Sequence, residues 1–122
     1  MRRVLLAALL VTALPGETLA AEGTQDPQRA ETIHGLVRIL GAQAGIVLYC
    51  RKFYTVDDAV SDGLSRTVRR ALDAAIGRRQ AQAAIAEEGR RVAGEIAAVG
   101  AEQWCADQRD ILNTDGVRVF VD

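Results

Sequence analysis

The two cysteines of this chain, Cys50 and Cys105, limit its fold more than any other feature of the sequence. They are the only cysteines among 122 residues, and they stand 55 positions apart. In an oxidising compartment such a pair usually forms one disulfide, which joins segments that are distant in the chain. Whether the pair meets an oxidising compartment depends on the N-terminal sequence.

Residues 1–20 have the pattern of a secretory signal peptide. Arginines at positions 2 and 3 precede an apolar run over residues 4–14, which Pro15-Gly16 ends, and Thr18-Leu19-Ala20 follows. Small residues at positions 18 and 20 suit signal peptidase, so we predict cleavage after Ala20 or, as the alternative, after Ala21. The apolar run is shorter than the roughly 20 residues of a membrane span, which disfavours an N-terminal anchor. We predict no later transmembrane segment, and a periplasmic or secreted location.

Export implies that the two cysteines form a structural disulfide. Closing a loop of this length stabilises a fold by about 4 kcal/mol in the chain-entropy model. The alternative is a reactive thiol, because Arg51 and Lys52 place two cations beside Cys50, where they would favour a thiolate. No Cys-x-x-Cys motif is present, so a thiol-based redox enzyme is the lesser interpretation. The same absence argues against haem attachment and a cysteine-based zinc site.

Apolar side chains recur every three to four residues in four stretches, which is the pattern of amphipathic helices. Asp26-Pro27 is typical of a helix N-cap and first position. The spacing predicts helices over about 27–52, from a Thr55 cap to residue 76, 79–99 and 101–113. Because the junction at Gly77 is short, the second and third helices are also compatible with one nearly continuous helix.

The same spacing predicts which side chains face inward. The first helix would bury Ile33, Leu36, Val37, Leu40, Ala44, Val47 and Leu48; the second Val56, Val60, Leu64, Val68, Leu72 and Ile76; the third Ala81, Ile85, Val92, Ile96 and Val99, with Gly89 at a gap; and the fourth Trp104, Cys105, Gln108, Ile111 and Leu112. Gly41 and Gly45 stand four residues apart, which favours close packing against a neighbouring helix. A kink at Gly41 is equally compatible.

The predicted fold is all-α: a small four-helix bundle stapled by one disulfide, with a short extended C-terminal tail. We predict a signal peptide at 1–20, a flexible lead-in at 21–26 and one helical domain at 27–122. The disulfide would join the end of the first helix to the fourth, beside Trp104. In the tail, Val117, Val119 and Val121 alternate with polar residues and Phe120, and one such strand needs a partner.

Three arginine pairs form a possible basic interaction face. They are Arg69-Arg70, Arg78-Arg79 and Arg90-Arg91, and they could meet an acidic protein or anionic lipid. The alternative is a solvated helix surface, because Arg69 with Asp73 and Arg91 with Glu95 have the i,i+4 spacing of helix ion pairs. The net charge of −1 and an aromatic content of 4% disfavour nucleic acid as a partner.

The chain lacks the motifs of catalysis and of cofactor binding. His34 is the only histidine, and the serines Ser61 and Ser65 both fall on the second helix, so no catalytic triad is indicated. Two stretches that begin near Asp58 and Asn113 match an EF-hand only in part. No phosphate loop, Rossmann glycine pattern or His-Glu-x-x-His is present. We therefore predict no catalytic residues, no metal and no cofactor.

The residues from Leu36 to Cys50, then Trp104-Cys105, Arg109, Leu112 and Gly116, resemble an uncharacterised family of small exported two-cysteine helical proteins from Gram-negative bacteria. This resemblance implies a disulfide-stapled helical body and no particular activity. The chain also resembles the periplasmic acid-stress chaperones, which are short, helical and held by one long-range disulfide. In that family a Trp-x-Cys lies near the mature N-terminus, whereas Trp104-Cys105 lies far along this chain, so no residue role is transferred.

These features predict an exported, non-enzymatic protein that binds another macromolecule, either a periplasmic protein or a component of the envelope. The first alternative is a holdase chaperone that acts under acid or envelope stress, because many carboxylates would lose their charge at low pH. The second alternative is the thiol-based redox enzyme.

Overall fold

A computed structural model describes residues 26–121, which form four helices and no strand longer than a single β-bridge. The helices are α1 (Pro27–Tyr49), α2 (Asp58–Ile76), α3 (Arg78–Val99) and α4 (Ala101–Thr114). The all-α prediction is therefore confirmed. The predicted signal peptide and residues 21–25 of the predicted lead-in lie outside the described residues, as does Asp122.

Local hydrogen bonds set the ends of the first two helices. Asp26 caps α1 as predicted, because its Oδ1 accepts from the backbone N–H of Gln28 at 3.2 Å. The helix ends at Tyr49 rather than at residue 52, since the Cys50 carbonyl accepts from two following N–H groups and turns the chain. The predicted Thr55 cap is also wrong: Asp57 caps α2, and its Oδ1 accepts from the N–H of Val60 at 3.1 Å.

Two glycines with positive φ separate the last three helices. Gly77 has φ +89° and Gly100 has φ +93°, a region that residues with side chains rarely adopt. Gly77 therefore breaks the chain between α2 and α3, and the alternative of one continuous helix does not hold. After the break, Ala81 of α3 packs into the same cluster as Val68 and Leu72 of α2.

The core consists of two clusters of buried side chains. One surrounds the disulfide and contains Ile46, Cys50, Val92, Ile96, Trp104, Cys105, Val119 and Phe120. The other joins α1, α2 and α3 and contains Val37, Leu40, Val68, Leu72 and Ala81. The Cys50–Cys105 disulfide connects the residue after α1 to α4, as predicted, and Trp104 lies in its cluster.

The C-terminal tail pairs with the linker between α1 and α2. Asp57 N–H donates to the Val119 carbonyl at 2.7 Å, and Val121 N–H donates to the Thr55 carbonyl at 3.1 Å, on either side of an antiparallel bridge. The tail's partner is thus the chain's own linker. Val119 and Phe120 are both buried, whereas Val121 is exposed, so the tail does not bury every second residue.

The inward face of α1 consists largely of glycine and of residues that periodicity did not select. Gly41 lies against the side chain of Glu88, and Gly45 lies against Val92 and Trp104. Close packing at the two glycines is confirmed. Because this face turns inward, the predicted core residues Ala44 and Leu48 are exposed, and Leu48 reaches 73%.

We expect Gly45→Ala to lower the free energy of unfolding by about 1–2 kcal/mol. An added Cβ would lie 2.8 Å from Cη2 of Trp104 and 3.0 Å from Cγ1 of Val92. The matched control is Gly35→Ala in the same helix, where nothing lies within 4 Å of an added Cβ. This control should raise stability by about 0.5–1 kcal/mol through helix propensity. Urea unfolding measures both, and an equal effect of the two changes would contradict the close packing.

The length and mean hydropathy of α1 are also sufficient for a membrane span. The absence of a later transmembrane segment therefore stays a prediction. Composition and length alone do not separate a span from a core helix, and the glycine face of α1 packs against α3 and α4.

Candidate functional site

Ion pairs divide the six arginines of the predicted basic face into two groups. Arg69 pairs with Asp73 at 2.8 Å, Arg90 with Glu87 at 2.8 Å, and Arg91 with both Glu88 and Glu95. These three arginines follow the solvated-surface interpretation. The structure does not bring the six together as one uniform cationic face.

The other three arginines lie on either side of the break between α2 and α3. Arg70 is within the last two turns of α2, and Arg78 and Arg79 open α3. All three are exposed, and none forms an ion pair with any residue in the range 26–121. We call Arg70, Arg78 and Arg79 the basic corner.

The basic corner opposes the dipole of α3. The first turn of α3 has no acidic residue, and the N-cap Gly77 provides no side-chain hydrogen bond. Two positive charges therefore stand at the positive end of the helix, where each costs about 0.3–1 kcal/mol at low ionic strength. Carboxylates of a partner would offset this repulsion and also accept from the free backbone N–H groups.

A second group of charged residues links α1 to α3 through Glu88. The Glu88 side chain is only 8% exposed, and its Oε2 lies 2.7 Å from Nη2 of Arg91 and 3.4 Å from Nε of Arg38. Glu88, rather than the predicted Gly89, occupies the position between Ile85 and Val92 on the buried face of α3. The predicted core residue Val99 is half exposed. The guanidinium groups supply the opposite charge that a buried carboxylate needs.

The neighbouring Glu95 extends this network to α4. Its Oε1 accepts from the indole Nε1–H of Trp104 at 2.9 Å, and its Oε2 lies 3.0 Å from Nη1 of Arg91. The indole hydrogen bond and then Arg91 lower the pKa of Glu95, and the hydrogen bond from Arg91 to Glu88 is the main cause of the raised pKa of Arg91. Glu95 therefore stays charged at neutral pH, and its hydrogen bond to Trp104 joins α3 to α4.

A wide cleft in the described part of the chain runs between α1 and α2. Its volume is about 850 Å³. Its apolar lining includes Leu40, Ala44, Val47, Leu48, Ala59 and Ile85. Asp58, Asp62, Arg66 and Arg69 stand along the α2 side, and Ser61 Oγ donates to Gln43 Oε1 at 2.8 Å in the buried wall. We call this cleft the α1–α2 groove.

The candidate catalytic residues do not come together. His34 is exposed on α1, whereas Ser61 is buried against Gln43, so Ser61 has no imidazole as a base. Cys50 and Cys105 are joined and fully buried. A thiol reaction at this pair would first require opening of the core.

Metal ligands are likewise dispersed over the residues described. No group of three or more His, Cys, Asp or Glu side chains within 26–121 could hold a metal ion. The two partial EF-hand matches begin in α2 and near the end of α4 rather than in a flexible loop.

The pattern of apolar residues identified neither the buried Glu88 nor the α1–α2 groove, because Glu88 is charged and the groove depends on how two helices pack. Glu88 stands seven residues after Ala81 and four before Val92, so helical spacing places it on the buried face. The groove exists because α1 turns its glycines inward, and a hydrophobicity pattern ranks leucine above glycine. Ile111, predicted to face inward, is likewise 53% exposed.

Comparison with protein-family models, curated proteins and solved structures finds no match to this chain. The apolar N-terminal sequence and the disulfide are both compatible with export.

Proposed function

We propose that this chain is an exported, non-enzymatic helical protein of the periplasm that binds an acidic macromolecular partner through the basic corner. The observation that supports the proposal is the absence of ion pairs, among the described residues, for Arg70, Arg78 and Arg79, where every other arginine of the predicted face has one. Exposed positive charges that lack local compensation attract acidic surfaces and speed association with them.

The position of the basic corner adds a second argument. A helix start with two arginines is less stable than one with acidic residues. Stabilisation of the fold alone therefore does not account for the pair, whereas recognition of carboxylates or other anions does. The signal peptide and the oxidising compartment limit the partner to an exported protein or an envelope component.

We expect Arg78→Glu/Arg79→Glu to abolish capture of partners from a periplasmic extract. The same change should raise the free energy of unfolding by about 1 kcal/mol at low salt, because two acidic side chains now complement the α3 dipole. Pull-down with quantitative mass spectrometry and urea unfolding measure the two effects. Arg90→Glu/Arg118→Glu is the control with the same change in net charge. Unchanged partners in the Arg78/Arg79 variant would contradict the proposal.

Anionic vesicles provide a further arm of this experiment. If the chain binds vesicles rich in phosphatidylglycerol and captures no protein, the partner is an anionic lipid surface and not an acidic protein.

The second candidate function is that of an acid-stress holdase. The observation that favours it is the Glu88–Arg91–Glu95 network, in which carboxylates join α3 to α1 and α4. Protonation of Glu95 would weaken its contacts with Arg91 and Trp104, loosen α3 from α4 and expose apolar surface that can hold an unfolded client.

Acidification is expected to lower the melting temperature, and Glu95→Gln should make that decrease smaller. The pKa of Glu95 is lowered in the folded state, so its contribution is complete above the unfolded pKa and is lost as the pH falls through the folded pKa. The loss should therefore begin below about pH 4.5. Thermal unfolding at several pH values measures it. In parallel, light scattering of an aggregating client between neutral pH and about pH 2 tests the holdase, and no suppression at any pH would eliminate that candidate.

A further inference from the structure

The α1 wall of the α1–α2 groove has a leucine at each end, and the two leucines differ in exposure. Leu40 and Leu48 stand at its ends with the small Ala44 midway between them. At 1.5 Å per residue the two leucines are about 12 Å apart along the helix. Leu48 projects into solvent at 73% exposure, whereas Leu40 is buried in the floor. One end of the groove is thus a projection and the other a recess.

The α2 wall separates its charges along its length. Asp58 and Asp62 occupy the first half, and Arg66 and Arg69 occupy the second. Arg66 and Asp62 already pair within α2, but both side chains are about two-thirds exposed, at 68% and 64%. Such surface pairs contribute little, so these charges can exchange partners at small cost.

The α1 and α2 walls run in opposite directions. This determines which leucine lies beside the acidic residues of α2 and which lies beside the basic ones. Arg51, after the end of α1, pairs with Asp58 at 2.6 Å, at the start of α2. At the other end, Leu40 packs in one cluster with Val68. The projecting Leu48 therefore lies at the acidic end of the groove, and the recess at Leu40 lies at the basic end.

We propose that a second copy of this chain occupies the α1–α2 groove, in a dimer with two-fold symmetry. A two-fold axis near Ala44 brings Leu48 of each copy onto the recess formed by Leu40 and Ile85 of the other. The same rotation sets the acidic half of each α2 opposite the basic half of its partner. One two-fold rotation therefore matches both the apolar surfaces and the charges of the two copies. An isologous interface requires such self-complementarity.

The size of the groove implies a weak dimer. It is lined by 14 residues, whereas a standard interface uses roughly 20–30 residues from each partner. We therefore expect dissociation in the range of roughly 1–100 μM. The proposal is independent of the basic corner, because Arg70, Arg78 and Arg79 do not line the groove.

Sedimentation velocity of the exported chain over a wide concentration range tests the dimer. Leu48→Glu should weaken it by at least about 30-fold, because each dimer loses two buried leucines. Leu48 is exposed in the monomer, so circular dichroism should show an unchanged fold. Ile111→Glu is the matched control, since Ile111 is 53% exposed and lies outside the groove. This control should dimerise like the unmodified chain.

Charge exchange tests the two-fold geometry. Asp62→Arg and Arg66→Asp should each weaken the dimer, because each sets like charges opposite one another across the interface. The double variant Asp62→Arg/Arg66→Asp should dimerise again, and an equal mixture of the two single variants should form the mixed dimer. Both rescues require Asp62 of one copy to face Arg66 of the other.

Three results would overturn the proposal. The chain remains monomeric at all concentrations up to about 1 mM, ten times the weakest expected dissociation constant; Leu48→Glu leaves the dimer intact; or the double exchange fails to restore what the single changes weaken. A monomer whose groove instead binds detergent or lipid in a Leu48-dependent way would assign the groove to an amphiphile. If the monomeric Leu48→Glu variant still captures the acidic partner, the proposed function does not depend on the dimer.

Discussion

Replacement of both Cys50 and Cys105 by alanine is expected to lower the free energy of unfolding by about 4 kcal/mol. The disulfide closes a loop with a sequence separation of 55 residues, so its loss gives the unfolded chain much more conformational freedom. It also joins the chain after α1 to α4 inside the cluster that contains Trp104 and Phe120. A domain of this size has total stability of about 5–15 kcal/mol, and the change removes a large share of it.

Urea unfolding followed by Trp104 fluorescence measures this loss, because the indole is buried beside the disulfide. Reduction of the unmodified chain under denaturing conditions, followed by alkylation, should produce the same shift. A loss below about 1 kcal/mol would show that the disulfide does not constrain the unfolded chain as the loop model requires. Rapid alkylation of both sulfurs in the native protein would contradict the buried disulfide.

Phe120→Ala is the second change with a large expected effect, a loss of about 3–4 kcal/mol. Phe120 is 1% exposed, and its ring meets Tyr54 edge to face with centroids 5.6 Å apart. Removal of the ring leaves a cavity in the disulfide cluster and weakens the pairing of the tail with residues 55–57. The guanidinium of Arg109 lies over the other ring of this pair, 5.1 Å from the Tyr54 centroid.

The neighbouring Val121→Ala is the matched control for Phe120. Val121 belongs to the same tail but is 46% exposed, so its truncation should cost less than about 0.5 kcal/mol. Hydrogen exchange should also show faster exchange at the Asp57 amide in Phe120→Ala, because that amide donates to the Val119 carbonyl. Equal losses in the two variants would mean that the tail does not fill the core.

Sequence periodicity predicted the helices well because the apolar spacing, the Asp26 cap and the stops at Gly77 and Gly100 all act within a few residues. It predicted the inward face of α1 poorly because that face depends on a neighbour. Gly41 and Gly45 are buried only because Glu88, Val92 and Trp104 approach them closely, and hydrophobicity assigns no such preference to glycine. The prediction of Leu48 as a core residue fails for the same reason.

The basic corner shows a similar limit at the candidate site. Spacing along the chain identified all six arginines and several of their i,i+4 partners. It did not show that Arg91 would be held by Glu88 as well as by Glu95. Among residues 26–121, Arg78 and Arg79 have no ion pair, in keeping with the absence of acidic residues in the first turn of α3, which the sequence does display. The α1–α2 groove, in contrast, depends on the rotation of α1 and has no signature in the sequence.

The tail also determines when a growing polypeptide can complete its fold. Val119 and Phe120 belong to the same buried cluster as Ile46 and Cys50, so a nascent chain shorter than 120 residues cannot complete that cluster. Earlier segments can form transient helices while the structure as a whole stays open and extensible. Under the proposed export, this delay would keep the polypeptide loosely packed until nearly all of it has been synthesised.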